Sequence, residues 1–303
     1  MGLTNKRGVF FIAVAIVIVT LLLTSYTLYS NIQERKAIQK RIETMNSFIN
    51  SINQDLERKL FIAGFRSLFT FENKIIETGS YIPNVNASFQ EMFINGTFNN
   101  QVQSIMLGAT VADIIRDLQS LGSKIAINIT LTNPKANIEQ IDPWHVRITL
   151  GGNYTVRDEN NLSSWNTMLS ATGIIPIYYF DDPVYIINTG SLIVTKINQT
   201  VYNSFDPATL LDHTTKQYYK ASQNAPSFLD RFEGNLNADS PNGIESLVDI
   251  QSLQNKGLQT QEKSIIDHIY FSSSNPTYCH VAGMPSWFYL DNNSLSAYNS
   301  TCG

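Results

Sequence analysis

Apolar residues run from Val9 to Leu23 with a single interruption at Thr20, and the helix they predict continues through Thr24 and Ser25 to Tyr29. Those 21 residues rise about 30 Å at 1.5 Å each, the thickness of a bilayer core. The helical pattern does not stop there. Ile38, Ile42, Met45, Ile49, Ile52, Leu56 and Ala63 recur at steps of three and four, while Arg35, Lys40, Arg41, Glu43, Asp55, Glu57 and Lys59 fall mostly off that line. Pro83 is the first proline, and Gly64 is the first glycine after Gly8. One helix from Val9 to about Ala63, roughly 80 Å long, follows, half of it in lipid. Its apolar seam needs a partner, and the distal half is expected to pack on the protein's own head.

The rest of the chain changes period. Thr110 to Asp113 reads as a helix start with a capping box, Val111, Ile114, Ile115 and Leu118 form one face, and Gly122 is a stop. Strands are predicted at 123–132 and 144–156, with turns at Asn133-Pro134 and Asp142-Pro143. In the second strand, Val146, Ile148, Leu150, Tyr154 and Val156 alternate with His145, Arg147, Thr149, Gly151, Asn153 and Thr155, which places Asn153 on the polar face. Asn128 stands in the same way against Ile125, Ile127, Ile129 and Leu131. Further strand-like runs lie at 173–180, 183–188, 191–202 and 264–271, and 207–222 reads as helix. The fold class is α+β: a long N-terminal helix, transmembrane then amphipathic, followed by a head containing a β meander. The expected organisation is a short basic leader (1–8), a transmembrane helix (9–29), a helical stalk (30–76), an α+β head (77–234) and a C-terminal subdomain (235–303). The polar, turn-rich stretch 234–243 marks the last boundary.

Charge gives the molecule a direction. Residues 1–75 carry a net +5 and the remainder a net −9. A basic stalk beneath an acidic head argues against nucleic acid, which needs clustered positive charge on the folded domain, and leaves the lipid bilayer as the stalk's expected partner. Lys6 and Arg7 flank the apolar helix on one side, and Tyr26 and Tyr29 on the other, at interface depth. A cleaved secretory peptide is the alternative, but the apolar stretch is long for one and no Ala-x-Ala-like site follows it. Lysine and arginine counts alone favour the opposite orientation, because Arg35, Lys36, Lys40 and Arg41 outnumber the N-terminal pair. The head nevertheless carries marks of an external compartment, so the N-terminus is placed in the cytosol and the head outside the cell. Eight Asn-x-Ser/Thr sequons, at Asn86, Asn95, Asn128, Asn153, Asn161, Asn198, Asn292 and Asn299, are candidate glycan acceptors. The two cysteines, Cys279 and Cys302, lack metal or redox spacing and are expected to form a disulfide closing a loop of about 22 residues.

Lys6-Arg7-Gly8 directly before an unbroken apolar helix that becomes amphipathic resembles the class III signal peptide of archaeal type IV pilin-like proteins. The resemblance covers about residues 1–60 and implies cleavage after Gly8, leaving Val9 as the new N-terminus. It also implies a stalk that packs with other pilin-like helices or with further copies of itself. A β-rich head with a disulfide near its end is similar to pilin organisation. The chain departs from the pattern at Ala13, where many bacterial pilins carry glutamate, and in its length of 303 residues.

Chemistry-bearing motifs are sparse. His145, His213, His268 and His280 are scattered outside any zinc-binding frame, and His145 reads as a solvated strand residue. Asp181-Asp182 before Pro183 reads as a turn cap. Asn235, Asn237 and Asp239, with Glu245 downstream, loosely imitate a calcium loop, without its glycine or its twelfth-position carboxylate. No cofactor is expected. The reading is a non-enzymatic, pilin-like structural or adhesive protein of the cell surface. The alternative is an exported, anchored enzyme or ligand-binding domain without a recognisable motif.

Overall fold

The computed structural model describes residues 6–159 and 163–303. The first helix, α1 (Lys6–Thr78), has 73 residues and is about 110 Å long, running some fifteen residues beyond the predicted end at Ala63. It stops where glycine first permits a left-handed turn: Gly79 has φ +62°, and its N–H returns to the Ile75 carbonyl at 2.8 Å. From Phe10 to Tyr29 its large apolar side chains are exposed. Ile38 and Ile42 also remain uncovered, whereas Met45, Ile52, Leu56, Leu60, Ala63, Leu68, Phe71 and Ile75 are buried. The seam therefore divides as expected, its distal part forming the spine of the head.

The head opens with α2 (Val85–Asn95), the two-residue ribbon of β1 (Thr97–Phe98) and β2 (Gln101–Val102), and α3 (Val111–Ser123). The predicted capping box of α3 is present, with Thr110 and Asp113 bonding each other's backbone N–H. Three long strands follow as an antiparallel meander of order β3-β4-β5: β3 (Ile127–Asp142), β4 (His145–Asp158) and β5 (Ser164–Pro176). Their apolar positions bury against α1, α2 and α3, and the other face is open. Asn128 and Asn153 both lie on the open face.

Several strand boundaries differ from the sequence reading. Asn133-Pro134 is not a turn: β3 runs through it with a bulge between Thr132 and Lys135, where a proline is tolerated in an edge strand. Asp142-Pro143 is the hairpin, with the Trp144 N–H bonded to the Asp142 side chain at 2.7 Å. The run at 173–180 marks only the end of β5, which begins at Ser164; Ser164, Asn166, Ser170 and Thr172 among its outward positions break up the apolar pattern that would have announced it. Residues 183–188 form a helix, α4 (Pro183–Asn188), because Asp182 caps it and Pro183 sits at its first position. Residues 191–202 form single bridges to Asp181 and Tyr219 rather than a strand.

The predicted helix 207–222 divides into α5 (Pro207–Thr215) and β6 (Tyr219–Ala221), separated at Gln217 with φ +52°. After α6 (Phe228–Glu233), β7 (Ile244–Ser246) and α7 (Ile250–Asn255), the predicted strand at 264–271 is instead one helical turn, α8 (Asp267–Tyr270). Such short apolar runs carry too few periods to separate helix from strand. β8 (Tyr278–His280) and β9 (Tyr289–Asp291) pair near the C-terminus. A second core gathers Tyr185, Phe205, Leu210, Leu247, Phe288 and Tyr298. It recruits residues on both sides of position 235, and β6 pairs β7 across the turn-rich stretch 234–243.

Candidate functional site

Three places carry chemistry: the junction of α1 with the rest of the head, a buried ion cluster, and a polar cleft beside it. At the junction, Arg41 reaches off α1 to the head. Its guanidinium pairs with the buried Asp158 and donates to the carbonyls of Ile125 at 2.6 Å and Ala126 at 2.8 Å. One side chain thus ties the helix to the α3–β3 turn and to the end of β4. In the sequence Arg41 reads only as one of several basic residues beside the membrane. Beyond Arg41, α1 lies on the sheet at two glycines. A Cβ on Gly64 would stand 1.9 Å from Ile148 Cδ1, and one on Gly173 would stand 2.7 Å from the Phe61 backbone nitrogen. Further along, Glu72 is buried and accepts the Asp181 N–H. Burial raises its carboxyl to about 8, against the lowering effect of that hydrogen bond.

The ion cluster lies between the two cores. Arg231 is fully buried, and its Nη1 donates to Asp182 at 2.7 Å and to Asp267 at 3.0 Å. Its Nη2 donates to the Ile244 carbonyl. The Tyr219 hydroxyl donates to Asp182 at 2.6 Å, and the Ser246 hydroxyl to Asp267 at 2.8 Å. Burial alone would lower the guanidinium's pKa, but the two carboxylates outweigh it and hold the cation. Asp182 is pushed up by burial and drawn down by Arg231. This arrangement joins α4, α6, β7 and α8. Its ions are sealed from solvent and face one another, which suits cohesion rather than turnover. Asp182 caps its turn as predicted, but its partnership with Arg231 and Asp267 was invisible among scattered surface-like residues.

Next to the cluster, a cleft of about 680 Å³ is lined by Asn224, Asn237, His268, Asp291 and Ser294, among others. His268 Nε2 stands 3.8 Å from Glu245, and the Ser294 hydroxyl donates to Asp291 at 3.0 Å. Among the described residues no serine hydroxyl bonds His268, so the cleft lacks the nucleophile-to-base contact of a hydrolytic triad. No family model, curated protein or solved structure matches this chain.

The sequence-derived sites fall as follows. Cys279 and Cys302 are bonded, with Cα atoms 5.7 Å apart, and the tail is further tied by Gly303 N–H to the His280 carbonyl at 2.9 Å. Asn86, Asn95, Asn128, Asn153, Asn198, Asn292 and Asn299 are all exposed. Asn86 accepts the Ile138 N–H at 3.3 Å and Asn299 donates to the Phe205 carbonyl at 3.1 Å. Asn161 lies outside the described residues, as do the first five residues of the leader. Lys6, Arg7, Gly8 and Val9 belong to α1. Asn235, Asn237 and Asp239 do not converge: Asn237 bonds Asn235 and Asp239 bonds Asn242, while Glu245 is buried against Tyr298. Among the described residues no group of His, Cys, Asp and Glu is arranged to hold a metal ion.

Proposed function

We propose that this chain is a non-enzymatic, membrane-anchored protein of the cell surface, pilin-like in organisation, with the N-terminus in the cytosol and the head outside. The observation that carries the reading is the continuity of α1. One helix is long and apolar enough to cross a membrane, and without a break it becomes the buried spine of the head. Between the two, Ile38 and Ile42, one turn apart on the same face, stay exposed, an apolar spot above the bilayer on which the helices of neighbouring copies would pack. A hinge-free anchor holds the head at a set height and angle, which suits a structural or adhesive part better than a tethered catalyst. The sequons and the disulfide suit an exterior compartment.

The test is made on the full chain in native-type membranes. The protein is expected to resist carbonate extraction, to begin at Val9 when a prepilin-type peptidase is present, and to cross-link between copies through Ile38→Cys. An intact Met1 start would reduce it to a signal anchor. Loss of the Ile38→Cys cross-link with retention in the membrane would remove the assembly role.

A further inference from the structure

The two edges of the β3-β4-β5 sheet are treated differently. Ile177 N–H bonds the Trp144 carbonyl and Asp158 N–H bonds the Ser163 carbonyl. With the unbroken register from His145↔Pro176 to Arg157↔Ser164, these two bonds fix the phase of the ladder. Odd-numbered residues of β5 turn their N–H and C=O toward β4. Ser164, Asn166, Met168, Ser170, Thr172 and Ile174 turn theirs to the outer edge.

Among the described residues no strand pairs with that edge and no hydrogen bond reaches those outward groups. By contrast, the outer edge of β3 is covered: Gln119 donates to the Ile129 carbonyl at 2.9 Å and Asn86 accepts from Ile138. Gly122 of α3 lies so close that a Cβ there would stand 2.6 Å from the Ile127 carbonyl oxygen. β3 also carries a bulge, a proline and charged residues, the usual devices that stop one sheet from adding to another. β5 has neither bulge nor charge, and its one proline, Pro176, is its last residue. From Ser164 to Ile175 it contains no charge, no proline and no register shift.

We propose that the β5 edge is a docking site for an extended segment of a different protein, added as a fourth strand. Alongside the edge runs a groove of about 550 Å³ between β5 and α1, lined by Ile49, Asn53, Glu57, Trp165, Met168 and Leu169, among others. It receives alternate side chains of the added strand. Glu57 is the one charged residue lining the groove, and among the described residues it has no salt-bridge partner. The fitting segment is otherwise uncharged and places a lysine or arginine against Glu57.

Among the described residues the strands outside the meander span only two or three residues, too short to fill this edge. A second copy is also a poor donor. Its β3 edge is covered, and its β5, set against β5 in either sense, carries no lysine or arginine to meet Glu57; the antiparallel sense is opposed a second time by the direction of the helix. β5 runs in the same direction as α1, since Ser163 contacts Met45 and Ile175 approaches Gly64. Antiparallel pairing would point the second anchor away from the membrane. That last step rests on the anchored reading proposed above; the open edge does not.

The test uses the full chain in nanodiscs and, as probe, a labelled 13-residue peptide with the sequence of Ser164–Pro176 in which Thr167→Lys supplies the cation for Glu57, a strand otherwise uncharged and free of any anchor. Without peptide, the amides of Asn166, Met168, Ser170 and Thr172 should exchange at least a hundredfold faster than those of Leu169, Ala171 and Gly173. Saturating peptide should slow the first set at least tenfold and leave the second unchanged. Ser170→Pro removes one outward N–H without touching the β4 ladder, and Met168→Lys puts a charge on the edge; each should weaken peptide binding at least tenfold. The slow exchange of the odd-numbered amides reports that either variant is folded. Failure of the wild-type chain to bind the peptide, equal exchange of the two sets, or unchanged binding by both variants overturns the proposal. A detergent-stable dimer abolished by Met168→Lys would assign the edge to a second copy and overturn the foreign segment. Loss of membrane retention would sink the anchored reading while leaving the exchange pattern intact.

Discussion

The backbone nitrogen of Phe61 lies 2.7 Å from the point where a side chain on Gly173 would begin, with the Leu60 carbonyl carbon 2.9 Å away. Helix and edge strand touch there backbone to backbone, with no side chain able to yield. At Gly64 the neighbours are instead the ends of the Ile148 and Ile175 side chains, which can rotate aside. Gly173→Ala is therefore expected to destabilise the head by about 3 kcal/mol and Gly64→Ala by about 1–2 kcal/mol. Denaturant unfolding of the full chain in micelles checks both, and the order of the two effects is the decisive reading.

Arg41 supplies the next expectation. Its guanidinium stands beside a carboxylate with no solvent exposure and also satisfies two backbone carbonyls at the α3–β3 turn. Arg41→Ala should cost about 2–3 kcal/mol. The local signature matters more than the total. Amides of α1 near Arg41 and those at the turn after α3 should exchange faster together, while the rest of the head is unchanged. A uniform change across the head would mean that Arg41 does not act as a clamp.

Two buried groups set opposite limbs of a stability–pH profile. Glu72 is raised by burial from 4.5 to about 8, so the folded state binds its proton more tightly than the unfolded chain. Stability then falls as pH rises from about 4.5 to about 8, by roughly 3–5 kcal/mol. Glu72→Gln keeps an acceptor for the Asp181 N–H and should abolish that loss.

His213 is lowered by burial from 6.5 to about 4, with help from the Lys220 charge, and its Nε2 has no hydrogen-bond partner among the described residues. The unfolded chain takes up this proton first, so stability falls as pH drops from about 6.5 to about 4, by about 3 kcal/mol. His213→Phe, placed among Phe205, Tyr218 and Tyr298, should flatten the acid limb. Thermal melts between pH 4 and 9 read both limbs, and a flat wild-type profile would count against both assignments.

What the sequence disclosed follows from how many periods each element contains. The seam of α1 repeats often enough to show both the helix and its packed side. Val146 to Val156 alternate without fault, which located β4 and the outward face of Asn153. The short elements of the second core were misread because a run as short as 183–187 satisfies either period. There the deciding signal was local, an aspartate cap followed by proline. The Arg231 cluster was illegible for another reason. Asp182, Arg231 and Asp267 lie far apart in the chain, and nothing in their immediate neighbours marks them as buried. The open β5 edge depends on hydrogen-bond phase, which only the folded register supplies.

Arg231 carries the last expectation. Its cation lies between two carboxylates, and all three side chains are fully buried. Removing it with Arg231→Met leaves Asp182 and Asp267 facing each other with no counter-charge, and should cost about 3–5 kcal/mol. The same logic predicts recovery. Converting both aspartates to asparagine in the Arg231→Met background removes the buried charge altogether, so the triple variant should be more stable than the single one. Arg231→Lys should fall between wild type and Arg231→Met, because an ammonium cannot bridge both carboxylates and the Ile244 carbonyl with the guanidinium's planar geometry. Chemical denaturation of the four proteins at one pH provides the comparison. A triple variant less stable than Arg231→Met would show that the aspartates hold the head mainly through their backbone and hydroxyl partners, Val184, Tyr219 and Ser246, rather than through the ion pairs.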